Sequence, residues 1–224
     1  MPSHPYRRHD LLRIEPKAWR GMLAATHGLD PLAGEARQLV EGWAGRGWPV
    51  IVRRCGANDR DDIAVGLPLP PALGKLRLGF FIPADSGINA IAAVSPAEAA
   101  RSVPTILRPQ LEAITALAVR LGVRPAVFGA LLWQHLTELA YLRPGSDIDL
   151  LWPAPRPDRL DELLEDLAAL DAAGPARLDG EIVLPAGEAV NWRELHGALV
   201  RAGGTVLVKS MHGAELRCAR RLFA

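Results

Sequence analysis

The sequence predicts an α+β protein in two domains, the second a mixed sheet with helices, and three observations lead there. The first half is rich in short β-like runs punctuated by Pro and Gly, whereas the second half alternates strands with amphipathic helices. A chain of 224 residues that is 49% apolar and 23% charged is globular, and long enough to bury a substantial core. The third observation is the stretch Ser146-Asp147-Ile148-Asp149-Leu150-Leu151-Trp152, a buried-strand pattern interrupted by two carboxylates.

Taken in order, a helix is expected over residues 16–26 and a second over 31–46, where Leu32, Ala36, Leu39, Val40 and Trp43 recur at helical spacing. Gly47-Trp48-Pro49 stops it, and strands follow at 50–52, 63–67, 76–82 and 88–94. Ser95-Pro96-Ala97-Glu98 is a helix start, with a Ser cap, Pro at the first helical position and Glu closing a capping box. The next helix begins at Pro104 or Pro109 and ends near Leu121. Beyond it come a strand at 126–129, a helix at 131–141 and the acidic strand at 147–152. A proline-rich break, Pro153 to Pro157, precedes a helix at 158–170 and a strand at 177–184. Asn191 caps a helix to residue 200, a strand fills 205–209, and a basic tail closes the chain. The domain boundary is expected within 104–124, giving an N-terminal domain, 1–110, for donor or carrier contacts and a catalytic domain, 111–224.

Composition removes several classes. With 26 basic and 25 acidic residues the formal net charge is +1, so no global field recruits nucleic acid or a membrane surface. No apolar run is long enough to span a bilayer, and the basic N-terminus lacks the apolar stretch of a secretory signal; a cytoplasmic protein is expected. Cys55 and Cys218 form no ligand cluster and are expected as two free thiols. Gly74-Lys75 lacks the rest of a Walker loop, and His135 with Glu138 makes no zinc-hydrolase pattern. No Gly-x-Ser-x-Gly elbow supplies an acyl-transfer nucleophile.

In a strand, Asp147 and Asp149 point one way while Ile148 and Leu150 point the other. Two such carboxylates repel, and either alone is costly to bury. A divalent cation removes both difficulties. Mg²⁺ prefers carboxylate oxygens together with water and substrate phosphates, and Mn²⁺ is an alternative. A neighbouring strand is expected to add a third acid, Asp179 or Glu181, with Asp179 slightly favoured. Gly129, at a strand-to-helix junction, lets backbone N–H groups approach a phosphate under the field of the helix N-terminus. Arg53, Arg54, Lys75 and Lys209, near strand ends, are candidate phosphate contacts; Arg grips bidentately and Lys acts as a point charge.

Gly129-Ala130 followed by Ser146-Asp147-Ile148-Asp149-Leu150-Leu151 resembles the signature of the polymerase-β type nucleotidyltransferases. That signature is a Gly-Ser or Gly-Gly turn, a short helix and a strand carrying Asp-x-Asp. There are two departures: Ala130 replaces Ser or Gly, and the stretch between turn and acids is slightly long. A second resemblance covers nearly the whole chain. It rests on Arg7-Arg8-His9-Asp10-Leu11, Val52-Arg53-Arg54, Val65-Gly66-Leu67-Pro68-Leu69-Pro70, Gly74-Lys75, Val127-Phe128-Gly129 and Trp133-Gln134. The acidic strand, Leu178-Asp179-Gly180-Glu181 and Val190-Asn191-Trp192-Arg193-Glu194-Leu195 complete it. These resemble the phosphoribosyl-dephospho-CoA transferase family of malonate decarboxylase, its holo-acyl-carrier-protein synthases.

That resemblance implies a nucleotidyltransferase-like second domain with Asp147 and Asp149 as catalytic aspartates. It implies transfer of the phosphoribosyl-dephospho-CoA group from 2′-(5″-triphosphoribosyl)-3′-dephospho-CoA to a serine of the malonate decarboxylase acyl carrier protein, with release of pyrophosphate. Mg²⁺ would be held by Asp147 and Asp149 with Asp179 or Glu181, and Gly129, Ala130 and Ser146 would lie at the donor. The basic residues Arg217 to Arg221 would meet an acidic carrier. Two alternatives stay open: the same chemistry on a citrate lyase-type carrier or a small molecule, and an inactive binding module of the same fold.

Overall fold

Residues 5–26, 32–55, 62–83, 86–201 and 203–223 are described by the computed structural model. The chain divides into two units, Met1–Ala93 and Val94–Ala224, so the division falls ahead of the expected 110/111. The reason is local. The segment between 94 and 110 opens with the Ser95 cap and packs its short helix on the next long one, inside the second unit.

In the first unit, buried Leu11, Leu12 and Ile14 with exposed Arg13 form β1 (Leu11–Ile14), a strand whose brevity hides it in the sequence. Helices α1 (Pro16–Ala25) and α2 (Gly34–Glu41) follow. Pro31, the expected start of the second helix, lies outside the described residues. Strands β2 (Val50–Val52), β3 (Ile63–Pro68), β4 (Arg77–Ile82) and β5 (Ile88–Ile91) complete an antiparallel sheet in the order β4-β3-β2-β1-β5. Trp19 and Trp43 anchor its core. Both indoles are buried, and each N–H reaches a carbonyl, Val40 and Pro49 respectively, at 2.8 Å. Burying each ring stabilises the unit by a few kcal/mol, and the satisfied N–H keeps that gain from being offset.

The second unit begins with α3 (Pro96–Ala99), α4 (Arg108–Leu121), β6 (Ala126–Phe128) and α5 (Gly129–Thr137). Both bonds of the Ser95–Glu98 capping box are present. Helix α5 ends four residues before the expected 141, because Glu138 adopts a left-handed conformation with φ 62°. Then come β7 (Ile148–Pro153), α6 (Leu160–Ala173), β8 (Leu178–Val183), β9 (Ala189–Asn191), α7 (Trp192–Leu199), β10 (Thr205–Lys209) and β11 (Ala214–Cys218). The expected basic tail is therefore ordered: it starts in β11 and ends in a short 3-10 turn, Ala219–Arg221. Its alternation Glu215, Leu216, Arg217 pairs with β10, and Arg217 is engaged by Glu188 and Glu215.

These strands build a six-stranded sheet in the order β11-β10-β9-β8-β7-β6. Only β7 and β8 run parallel, joined by α6 as a crossover. Ile148, Leu150, Trp152, Leu178, Ile182, Val190, Val206 and Val208 are buried on one face, where α6 and α7 pack. Strand alternation sends the acids to the other face. Among the described residues no helix is long and apolar enough to cross a membrane, and both cysteines are free.

Candidate active site

Parallel register sets Asp149 directly opposite Asp179 at the amino ends of β7 and β8, and antiparallel register sets Phe128 opposite Asp149 on the other side. Asp147 stands one step before β7, on the same face as Asp149. Its strand neighbour is Arg177, whose carbonyl accepts the Ile148 N–H. The three aspartates thus occupy one end of one sheet face. The Arg177 guanidinium lies between two of them, 3.4 Å from Asp147 Oδ2 and 3.9 Å from Asp179 Oδ2. Arg177 is a residue the sequence reading passes over. Its signal is present nonetheless, since it precedes Asp179 by two positions and shares its face.

Two glycines make this packing possible. Gly129 has φ 63°, and a methyl group there would overlap the Asp149 carboxylate, so the first turn of α5 sits directly against that acid. Gly180 lies inside β8 with φ 140°, a conformation that side chains disfavour, and a methyl group there would overlap the Leu150 carbonyl. The twist at Gly180 also turns its own N–H onto Asp179 Oδ1, at 2.8 Å.

The start of β8 is held from three sides. Gln110 of α4, buried, donates to the Ala176 carbonyl at 2.7 Å and accepts from the Ala176 N–H at 3.1 Å. Asp171, at the end of α6, accepts the Leu178 N–H at 2.7 Å and pairs with Arg193 at 2.6 Å. Burial alone would raise the Asp171 carboxyl, but Arg193 and the Leu178 N–H together hold it below the ordinary carboxylate range. Arg193 also donates to the Leu178 carbonyl at 2.7 Å and stacks on the Trp192 ring.

The remaining candidates are placed differently. Glu181 falls one row deeper, opposite Leu151; it is 6% exposed and bonded to Lys209 Nζ at 2.9 Å. Lys209 is accordingly committed to Glu181 rather than presented to a donor. Ser146 Oγ accepts the Arg143 N–H at 2.8 Å and shapes the turn before the acids, while Ala130 follows Gly129 in the first turn of α5. Arg53, Arg54 and Lys75 belong to the first unit. There the Arg53 guanidinium lies over the Phe81 ring and donates to the Arg54 carbonyl at 3.1 Å, and Lys75 occupies a left-handed turn position with φ 55°. His135 pairs through Nδ1 with Ser102 Oγ at 2.9 Å, away from any ligand cluster. Among the described residues no three His, Cys, Asp or Glu side chains gather closely enough to hold a metal by themselves.

Mg²⁺ does not need such a cage. It is normally held by one or two carboxylates with waters and substrate phosphates. Asp147, Asp149 and Asp179 on one face, beside backbone bared by Gly129, fit that mode. The exposed guanidinium between two of these acids shows that the site accepts a positive charge.

Fold and site together define the class: a two-unit α+β protein with an acidic, glycine-flanked site at the amino ends of a parallel strand pair. The chain belongs to the phosphoribosyl-dephospho-CoA transferase family. The family's N-terminal domain model, that of phosphoribosyl-dephospho-CoA transferase MdcG, matches residues 7–96, and its C-terminal domain model matches residues 91–219. The phosphoribosyl-dephospho-CoA transferase of Bradyrhizobium diazoefficiens is 37% identical over 214 residues, covering 96% of this chain and 91% of its own length. That of Xanthomonas campestris pv. campestris is 34% identical over 189 residues, covering 84% and 87%. The Klebsiella pneumoniae protein of the same name is 29% identical over 193 residues, covering 82% and 88%. No solved structure matches the chain.

Proposed function

We propose that the second unit is a nucleotidyltransferase-type catalytic unit, and that the protein attaches a phosphoribosyl-dephospho-CoA group to a serine of the malonate decarboxylase acyl carrier protein. The donor is 2′-(5″-triphosphoribosyl)-3′-dephospho-CoA. The serine oxygen bonds to the phosphorus nearest the ribose, the bond from that phosphorus to the bridging oxygen breaks, and pyrophosphate departs with the serine proton lost to solvent or base. The observation that carries this reading is the row of Asp147, Asp149 and Asp179 against the Gly129 turn, in a chain of this family.

Asp147 and Asp149, with Asp179, would hold Mg²⁺ or Mn²⁺, which would neutralise phosphate oxygens and steady the leaving group. The N–H groups at the start of α5, opened by Gly129, face the same end of the sheet and suit a phosphate oxygen. Arg177 is long, 57% exposed and tied to the acids by weak ion pairs, so it can turn to a donor phosphate once the carboxylates are otherwise neutralised. The attacking oxygen comes from the partner, so no serine of this chain serves as nucleophile.

Intact-mass measurement on apo-carrier protein incubated with the donor, Mg²⁺ and this protein tests the reading. A mass gain equal to the phosphoribosyl-dephospho-CoA group is expected, falling about 100- to 1,000-fold in rate with Asp147→Asn or Asp149→Asn, as for loss of a major transition-state electrostatic contact. No gain overturns the proposed activity, and gain that survives both substitutions overturns the proposed site.

A further inference from the structure

Asn191 ends β9 and opens α7, and its side chain is used in both directions. Oδ1 accepts the N–H of Arg193 at 3.0 Å and of Glu194 at 3.3 Å, which is the ordinary duty of a helix cap. Nδ2 donates to Asp179 Oδ1 at 2.9 Å. The register explains the reach: Asn191 is opposite Glu181, and therefore on the Asp179 face of the sheet. Chemistry also fixes which way the amide points. Reversed, its NH₂ would meet two backbone donors and its oxygen would meet a carboxylate, and both contacts are repulsive.

Asp179 Oδ1 thus receives two donors, from Asn191 and from Gly180. The carboxylate is locked in one rotation, with Oδ2 turned toward Arg177 and the Asp147 side of the site. Ser, Asp and Thr cap helices about as well as Asn. Of these, only Asn carries its acceptor and an amide donor on separate branches. Ser and Thr have a single hydroxyl, and Asp would set another negative charge against Asp179.

We infer that Asn191 is a positioning residue for the candidate active site: it uses the cap of α7 to aim Asp179 Oδ2 at the cation position shared with Asp147 and Asp149. This inference rests on the reading that the three aspartates hold a divalent cation. Residues that orient metal-binding carboxylates commonly matter about 10-fold or more to metal affinity. Asn191 would connect the stability of a helix start to the readiness of the site.

The test is Mn²⁺ binding to the full-length protein, followed by electron paramagnetic resonance, with thermal unfolding measured in parallel. Asn191→Ser keeps a cap acceptor and removes the amide donor. It should leave the unfolding midpoint within about 3 °C of wild type while weakening Mn²⁺ binding about 10-fold. In the Asp179→Asn background the same substitution should change Mn²⁺ affinity less than 2-fold, because its effect passes through Asp179. Wild-type Mn²⁺ affinity in Asn191→Ser overturns the inference while leaving the metal reading intact, as does an equal loss in both backgrounds. Absence of Mn²⁺ binding by the wild-type protein, or binding indifferent to Asp149→Asn, overturns the metal reading and the inference with it.

Discussion

The two sheets differ in how much irregularity they carry. In the first unit every neighbouring pair is antiparallel, and the buried Trp19 and Trp43 each place their indole N–H on a carbonyl. The second unit has a parallel pair, a left-handed glycine inside a strand, and a nearly buried charge pair between Glu181 and Lys209. The buried indole N–H groups of its Trp152 and Trp192 meet no protein acceptor. Strain of this kind costs on the order of 1–3 kcal/mol per position and persists where surrounding structure enforces it. Inside the strands it falls in the unit that holds the aspartates, whereas the first unit keeps its left-handed residues, His9 and Lys75, in turns. The regular sheet is built for stability, and the irregular one gives up some stability to place charged groups.

The sharpest way to break this contrast is to substitute one strand glycine in each unit. Gly180→Ala in β8 combines a disfavoured φ with overlap on the Leu150 carbonyl, and should cost at least about 3 kcal/mol or prevent folding of the second unit. Gly66→Ala in β3 meets only the Leu78 carbonyl at 3.0 Å and should cost about 1 kcal/mol. Chemical denaturation of both variants gives the comparison, and equal costs would remove it. Next in size is Lys209→Met, which takes from Glu181 a cation at 2.9 Å in a nearly buried setting. A loss of about 3 kcal/mol is expected, largely recovered when Glu181→Leu is added. Failure of the double variant to recover would show that the pair does more than neutralise itself.

Gly129→Ala should separate fold from function. Left-handed strain predicts a loss of only about 1–2 kcal/mol, whereas displacement of Asp149 should slow transfer about 100-fold. Matching small losses in both would show that the α5 turn does not position Asp149. The smallest expected effect is a pH dependence confined to the second unit. Burial lowers the His135 imidazole below its ordinary 6.5, with Arg101 adding to this and Glu98 opposing it. The folded state therefore binds this proton less readily than the unfolded chain. The resulting stability is complete above 6.5 and is lost as pH falls through the lowered folded value. Denaturation midpoints at about pH 7 and about pH 5 should fall more steeply for wild type than for His135→Gln. Identical slopes would show that His135 plays no part.

Much of this was readable beforehand. The Asp147 and Asp149 alternation, the Ser95 capping box and the β8 acids follow from periodicity and capping chemistry acting over a few residues. What stayed hidden depends on pairing between distant segments. Which of Asp179 and Glu181 stands beside Asp149 depends on the β7–β8 register, which puts Asp179 there and Glu181 beside Leu151. Arg177 and Asn191 look like an ordinary strand-end cation and helix cap until the β7–β8 register sets Arg177 beside Asp147 and the β8–β9 register sets Asn191 on the Asp179 face. The strand β11 was concealed for a related reason. Its alternating charged residues resemble a solvated tail and become a strand only against β10.

The order of the strands also bears on how the chain acquires its structure in time. The first sheet seats β1 between β2 and β5, so Leu11 must find both Ile51 and Ile91. Such long-range closure is slow, and it cannot finish until residue 91 has left the ribosome. The second sheet lists its strands in chain order from β6 to β11, each beside the one made just before it. It can lengthen one strand at a time during synthesis, with the β7–β8 crossover through α6 as its one slower step. The half whose strands carry the irregularity is thus also the half whose assembly is stepwise.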